Sequence, residues 1–154
     1  MPLSKITAFA LAGIIAIGVA GVFAQDVTVS PDIEGMSPEQ KVERRQEIMK
    51  ENGGILRNIG TMAAADAAAA ADTMIQNFTD LPALFAEGTI VGDSRALPLI
   101  WEEKDAFDAI FAEAKEHAAA IKAAAEAGDT AAIGGEAQEL GGYCGQCHDK
   151  YRAS

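Results

Sequence analysis

Apolar residues recur at helical spacing along most of the chain. Val42, Met49, Leu56, Ile59 and Ala63 fall on one stripe, interrupted by the polar Arg45 and Asn52. Ser37-Pro38-Glu39-Gln40 opens that stripe with an N-cap, a proline at the first helical position and a glutamine at the third, so a first helix is predicted over about 38–60. The Ala-rich run at 66–78 predicts a second helix, whose composition gives propensity without saying which face is buried. Thr79 to Ile100 carries two prolines, two glycines and the turn-prone Gly92-Asp93-Ser94, and reads as a long connection crossing one end of the domain. Trp101 opens a third helix over 102–127, with Phe107, Ile110, Phe111, Ala114, Ala118, Ile121 and Ala125 on its apolar stripe. Gly128-Asp129 then reads as a C′ glycine followed by the next N-cap, and a fourth helix is predicted over 130–152 despite four glycines. Asp26 to Gly35 has no period and reads as a leader. Four helices with short or antiparallel-compatible links make an all-α, antiparallel up-down-up-down four-helix bundle.

The first residues are of another kind. Met1 to Lys5 is short and basic, Ile6 to Val22 is almost wholly apolar or small, and Val22-Phe23-Ala24 offers the small residues that a signal peptidase reads. Residues 1–24 are therefore expected to be a signal peptide and 25–154 the exported, periplasmic chain. A membrane anchor is the competing reading, but no basic stop-transfer flank follows the apolar run. Lys and Arg number 12 against 23 Asp and Glu, a net charge of -11. Removing the signal peptide deletes one cation, Lys5, and no acid, which makes it -12. Phosphate binding needs cations, so this balance argues against nucleic acid and, once the signal is removed, against an anionic membrane surface. By itself it suits a partner with a basic docking patch. No Ser/His/Asp set or other enzyme constellation is present, and no enzymatic activity is expected.

One motif carries chemistry. Cys144-Gly145-Gln146-Cys147-His148 is the Cys-x-x-Cys-His attachment signature of c-type haem. At about 100° per residue, both thiols and the imidazole fall within a third of a helical turn, so two thioethers and one iron ligand can come from the same side. A disulfide between these cysteines would be strained on a regular helix. A thioredoxin-like pair wants a βαβ context that this chain lacks, and a zinc site wants a second ligand pair. Ile133, Ala137, Leu140 and Tyr151 share the motif's face, which puts it on the buried side of the bundle. Gly141 and Gly142 cost about 1 kcal/mol each in a helix interior; a flat ring against the backbone would account for them. For the opposite side of the iron, thioether sulfur and imidazole are the usual ligands, so the candidates are Met36, Met49, Met62, Met74 and His117. Met49 stands in the centre of the first stripe, with Arg45 one turn before it and Asn52 three residues after it. A buried cation needs a partner, and haem propionates would serve Arg45. Met49 as ordinary core filler is the alternative, and His117, at the edge of its stripe, reads as a half-exposed surface histidine.

Taken together, the chain resembles the class II c-type cytochromes, the cytochrome c′ family. The likeness runs through Arg45-Gln46 and Met49-Lys50, Leu81-Pro82-Ala83-Leu84-Phe85 with Gly88-Thr89, Ser94-Arg95-Ala96-Leu97-Pro98 with Trp101, Ala127-Gly128-Asp129, and the terminal Cys144 to His148 with Arg152. The resemblance implies one haem c held by Cys144 and Cys147, ligated by His148, near one end of a four-helix bundle, with Arg45 near a propionate. It further implies that the residue at Met49 divides the family. Members with Leu or another non-ligating residue there resemble five-coordinate cytochromes c′ that bind nitric oxide or carbon monoxide. Members with Met resemble the low-spin cytochrome c-556, which carries electrons. Met49 places this chain with the second group, as a single-electron carrier with His148 and Met49 on the iron and a redox protein as its partner. Soft sulfur favours ferrous iron, and a saturated iron changes geometry little between oxidation states. The link around Thr61 to Asp66 is about four residues shorter than in the family, which bears on the helix A/B surface some members use to dimerise, so monomer and homodimer both stand. Gas binding by a five-coordinate iron is the alternative function, and a haem-free helical protein with a disulfide or metal is the third.

Overall fold

The computed structural model describes residues 27–154, so the expected signal peptide lies outside them. Among the described residues are five helices and no strand: α1 Pro38–Asn58, α2 Ala64–Leu84, α3 Leu99–Glu102, α4 Lys104–Ala127 and α5 Thr130–Tyr151. α1 begins where the capping box requires. Ser37 Oγ accepts from the Gln40 backbone N–H at 3.3 Å, and the Ser37 N–H donates to Gln40 Oε1 at 2.8 Å. Its inner face is Val42, Arg45, Ile48 and Asn52, continued by Ile59 in a 3-10 turn over Ile59–Thr61. Ile48, absent from the expected stripe, is 0% exposed. Ala63 is exposed instead, because the 3-10 turn redirects the chain and makes it the N-cap of α2.

α2 runs six residues past the predicted end at Phe78 and takes in Pro82. A proline inside a helix costs about 3 kcal/mol, whereas burying a leucine side chain contributes about 1.5–3 kcal/mol. Leu81 and Leu84, both fully buried, together offset that cost. The long connection therefore shrinks to 85–98, turning at Gly88 and Gly92, whose φ values are 79° and 59°. Trp101 belongs to α3, not to the start of α4; Glu103, at φ -120° and ψ 39°, breaks the helix between them. The Trp101 indole N–H donates to the Phe85 carbonyl at 3.0 Å, tying the two ends of the connection together. Part of the stretch read as a periodless leader also takes regular structure. Pro31–Gly35 forms a 3-10 turn with Ile33 buried, pinned to α2 where Ser30 donates both its N–H and its hydroxyl to the buried Asp80 at 2.8 Å.

α4 buries the stripe expected of it, with Ile110 only half-buried and Ala124 added. Gly128 then takes φ 72°, its N–H bonding to Ala125 O and that of Asp129 to Ala124 O, while Asp129 Oδ1 accepts from Ala132 N at 3.0 Å. Gly128→Ala is expected to cost about 1–2 kcal/mol, because an L side chain is strained in that region. Denaturant unfolding checks this, and an unchanged midpoint would contradict the assignment of the cap.

α2 packs along α4, α4 along α5, and α1 against α2. α1 and α5 do not complete the ring. They approach at one end, where the 3-10 turn meets α5 and Leu56 Cδ2 lies 3.9 Å from where a Cβ on Gly141 would stand. Elsewhere they barely touch, and a slot opens between them. In antiparallel helices of equal rise, seven residues back from Leu56 and seven on from Gly141 lie at the same height, about 10 Å further along. Those residues are Met49 and His148.

Candidate functional site

The slot is a cavity of about 420 Å³, within the roughly 300–1,000 Å³ range of small-molecule and cofactor sites. α1 contributes Arg45, Met49 and Lys50; α5 contributes Cys147, His148 and Tyr151. The 85–98 connection roofs one end with Phe85, Ser94 and Arg95. That roof is fixed to the end of α5. Leu97 N–H donates to Tyr151 O at 2.9 Å, Ala153 N–H to Arg95 O at 2.7 Å, and the Arg95 guanidinium to Ala153 O at 2.7 Å. Phe107 forms the apolar floor, 5.0 Å from the Phe85 and Tyr151 rings in edge-to-face contacts. The Tyr151 hydroxyl donates to Glu103 Oε2 at 2.9 Å, so the ring that closes the floor is held at both ends.

Arg45 is the only cation buried among the described residues, at 4% exposure. One terminal nitrogen donates to Leu84 O at 3.0 Å and Thr89 Oγ1 at 2.9 Å, the other to Thr89 O at 2.8 Å and Ser94 Oγ at 2.6 Å. Its Cζ sits 4.4 Å from the Phe85 ring centroid. All four acceptors are neutral, and burial pushes the guanidinium below its usual pKa. Both terminal nitrogens are hydrogen-bonded and the charge is unpaired, so an anion in the cavity would complete it. Asn52 takes no part in this. Its Oδ1 accepts from Asn77 Nδ2 at 2.8 Å, and its own Nδ2 is buried without a partner. The two polar residues on the α1 stripe thus have different reasons, and only Arg45 borders the cavity.

Burial raises the Cys147 thiol to about 11, with the neighbouring Cys144 adding to the effect, and burial likewise raises Cys144. Burial first, and then the Arg152 charge, lowers His148. At neutral pH the site therefore presents two thiols and a neutral imidazole with a free lone pair, the form that ligates a metal. Both cysteines are free and half-buried within an unbroken helix. Cys144 lies one turn behind the cavity lining that includes Cys147 and His148.

The other iron-ligand candidates stand elsewhere. Met74 is fully buried in the core of α2, and Met36 and Met62 pack against that core away from the cavity. His117 Nδ1 is 2.7 Å from Glu136 Oε2, and its ring centroid is 5.2 Å from that of Tyr143, so it links α4 to α5 outside the slot. Met49 and His148 alone supply thioether sulfur and imidazole to the cavity lining. Phe85, Phe107 and Tyr151 were invisible as site residues in the sequence, since a floor and a core aromatic have the same pattern. Thr89 and Ser94 were legible only as loop residues, though a buried arginine predicts that oxygen acceptors must come from somewhere.

These residues fit a haem c. An apolar slot separates two helices that would otherwise touch, a buried cation lacks a counter-charge, and two thiols, an imidazole and a thioether lie on or beside its walls. Gly141 and Gly142 meet no protein atom closer than the Leu56 contact, so nothing in the polypeptide requires glycine at either position.

A family model described as Cytochrome C′ matches residues 40–152. A cytochrome c′ of Pararhodospirillum photometricum is 33% identical over 123 residues, covering 75% of this chain and 98% of the relative. A cytochrome c-556 of Agrobacterium tumefaciens is 36% identical over 122 residues, covering 73% of this chain and 96% of the relative. The crystal structure of cytochrome c′ from Rubrivivax gelatinosus superposes with a TM-score of 0.68 at 25% identity, covering 77% of this chain and 98% of that one.

Proposed function

Because this chain belongs to the cytochrome c′ family, whose members carry covalently attached haem c, we propose that it is a periplasmic single-electron carrier in which His148 and Met49 would ligate the iron. Haem c supplies an iron that changes by one electron. Cys144 and Cys147 would hold the group through two thioethers, and His148 would present its neutral imidazole from α5. Met49 would bring a soft thioether from α1, which raises the reduction potential relative to a second imidazole or water. Arg45 would pair with a propionate, and Phe107 with Phe85 would keep water from one face. Hydrogen bonds and ring contacts tie the floor and roof together, and an electron carrier benefits from a site that moves little between oxidation states.

The single observation that supports this reading is the coincidence of Met49 and His148 in one cavity while the other described methionines and His117 stand outside it. Relatives named cytochrome c′ and cytochrome c-556 are both similar to this chain, so kinship does not choose between electron carriage and gas binding. Carbon monoxide does. The reduced holoprotein is expected to show a low-spin spectrum that carbon monoxide changes slowly and incompletely. Rapid, complete binding would instead mean that the iron was five-coordinate before the gas arrived and that the protein is a gas binder. The attachment is checked separately: the pyridine haemochrome of the wild type is expected to be that of a two-thioether haem, and Cys147→Ser should move its band toward the single-thioether position.

A further inference from the structure

The net charge and the charge around the cavity have opposite signs. Of the eleven Lys and Arg in the described residues, Arg44, Lys104, Lys122 and Lys150 each pair with an acidic side chain. Seven have no such partner there, and four of those seven line the cavity: Arg45, Lys50, Arg95 and Arg152. No Asp or Glu lines it. Five acids adjoin lining residues in sequence, Glu47, Glu51, Asp93, Asp108 and Asp149, and all stand outside the lining: Glu47 pairs with Arg44, Asp108 with Lys104, Glu51 accepts from Asn77 Nδ2 at 2.9 Å and Asp93 from Gln46 Nε2 at 3.2 Å. Lys50, Arg95 and Arg152 are exposed, so three of the four charges are at the mouth, open to solvent. Setting the four aside leaves seven cations against 22 acids in the described residues, Asp26 being the one acid outside them. The molecule is an acidic body with one basic opening. Haem c has two propionates, and Arg45 is placed to answer one of them. With both ionised, the four cations still exceed the carboxylates by two.

An electron leaves or enters where a partner comes nearest the haem, which is this opening. At an ionic strength of about 0.1 M, charges more than about 10 Å apart are largely screened. A docking partner therefore responds to the mouth and not to the sum over the whole surface. We infer that the cavity mouth formed by Lys50, Arg95 and Arg152 is the surface on which the redox partner docks, and that the partner's docking face is acidic. The net charge of the chain, which alone suits a basic partner, misleads because it averages over faces the partner does not touch. This inference rests on the electron-carrier reading.

The test oxidises the reduced holoprotein with hexacyanoferrate(III), an anion, and with tris(1,10-phenanthroline)cobalt(III), a cation. One electron passes from protein to reagent, giving the oxidised protein and hexacyanoferrate(II) or the cobalt(II) complex, with no atom exchanged. Between about 10 mM and 300 mM salt, the hexacyanoferrate rate is expected to fall about 3- to 10-fold and the cobalt rate to rise, the signs of a basic approach. A net-charge-controlled reaction gives both slopes with opposite sign and overturns the proposal. Lys50→Glu should slow the hexacyanoferrate reaction several-fold at low salt, whereas Lys115→Glu, the same charge change on α4 away from the cavity, should leave it alone. Equal effects from the two variants also overturn it. Poly-glutamate stands in for an acidic protein face and is expected to compete with hexacyanoferrate on the wild type and much less on Lys50→Glu; no competition refutes an acidic docking partner. A readout free of redox activity is the broadening of amide resonances by redox-inert, paramagnetic hexacyanochromate(III), expected around residues 50, 95 and 152; broadening centred elsewhere refutes the site. The salt slopes report the field at the opening whatever the sixth ligand is. Rapid carbon monoxide binding with these slopes removes the carrier reading alone, and reversed slopes with Met49 ligated remove the docking proposal alone.

Discussion

Met49→Ala is expected to convert the reduced holoprotein from a low-spin to a high-spin spectrum and to raise its apparent carbon monoxide affinity about 100-fold. The size follows from competition: if Met49 occupies the sixth position in about 99% of molecules, an external ligand sees only the remaining 1%, and removing the internal ligand restores the rest. Truncation also leaves space, since Met49 is packed against the core. Met49→Leu separates the two effects. It conserves volume to within a methylene and costs less than about 1.5 kcal/mol in packing, yet it has no sulfur, so it should reproduce the spectral change with little loss of stability. A Met49→Ala spectrum identical to the wild type would falsify ligation by Met49.

Arg45→Met is expected to give the largest loss of stability of any single change at the site, about 3–5 kcal/mol. Four hydrogen bonds from a cation are removed, a class worth about 1.5–3 kcal/mol each when taken singly and not additive on one group, and the Leu84 and Thr89 carbonyls lose a donor they cannot replace from solvent while Thr89 stays buried. The recovered desolvation of a buried cation offsets part of this, which is why the net is less than the sum. Because Thr89 and Ser94 lie in the 85–98 connection, the same change should loosen the roof over the cavity, seen as faster amide exchange at 89–94. Arg45→Lys is expected to rescue the stability only in part, since an ammonium cannot reproduce a fork that reaches four oxygens. The reduction potential should fall in Arg45→Met, because a positive charge near the iron favours the ferrous state. A variant that unfolds at the wild-type midpoint with an unchanged potential would mean that Arg45 is neither the keystone of the roof nor close to the iron electrostatically.

Local chemistry was legible along the chain wherever a single segment decided the outcome. The capping box at Ser37, the αL glycine at 128 and the N-cap at Asp129 all form, because each depends on residues within four positions of it. The α4 stripe reads correctly because large apolar side chains mark its buried face. The end of α2 does not, since a proline two residues before a helix terminus reads as a breaker until the burial of Leu81 and Leu84 is known. Nor does the break at Glu103, where the Trp101 bond to the Phe85 carbonyl sets where the chain turns.

By itself the sequence determined the helical class, the positions of the caps, the Cys-x-x-Cys-His motif and a short roster of candidate ligands, all of which follow from patterns within single helices. Only the tertiary structure decided which methionine lines one cavity with His148, why Arg45 is buried, and that an acidic chain places four of its seven unpaired cations around one opening. Those depend on the register between α1 and α5 and on a connection that folds back from residue 85 to meet the chain's end. Such register is set by packing between segments a hundred residues apart, and no local pattern carries it.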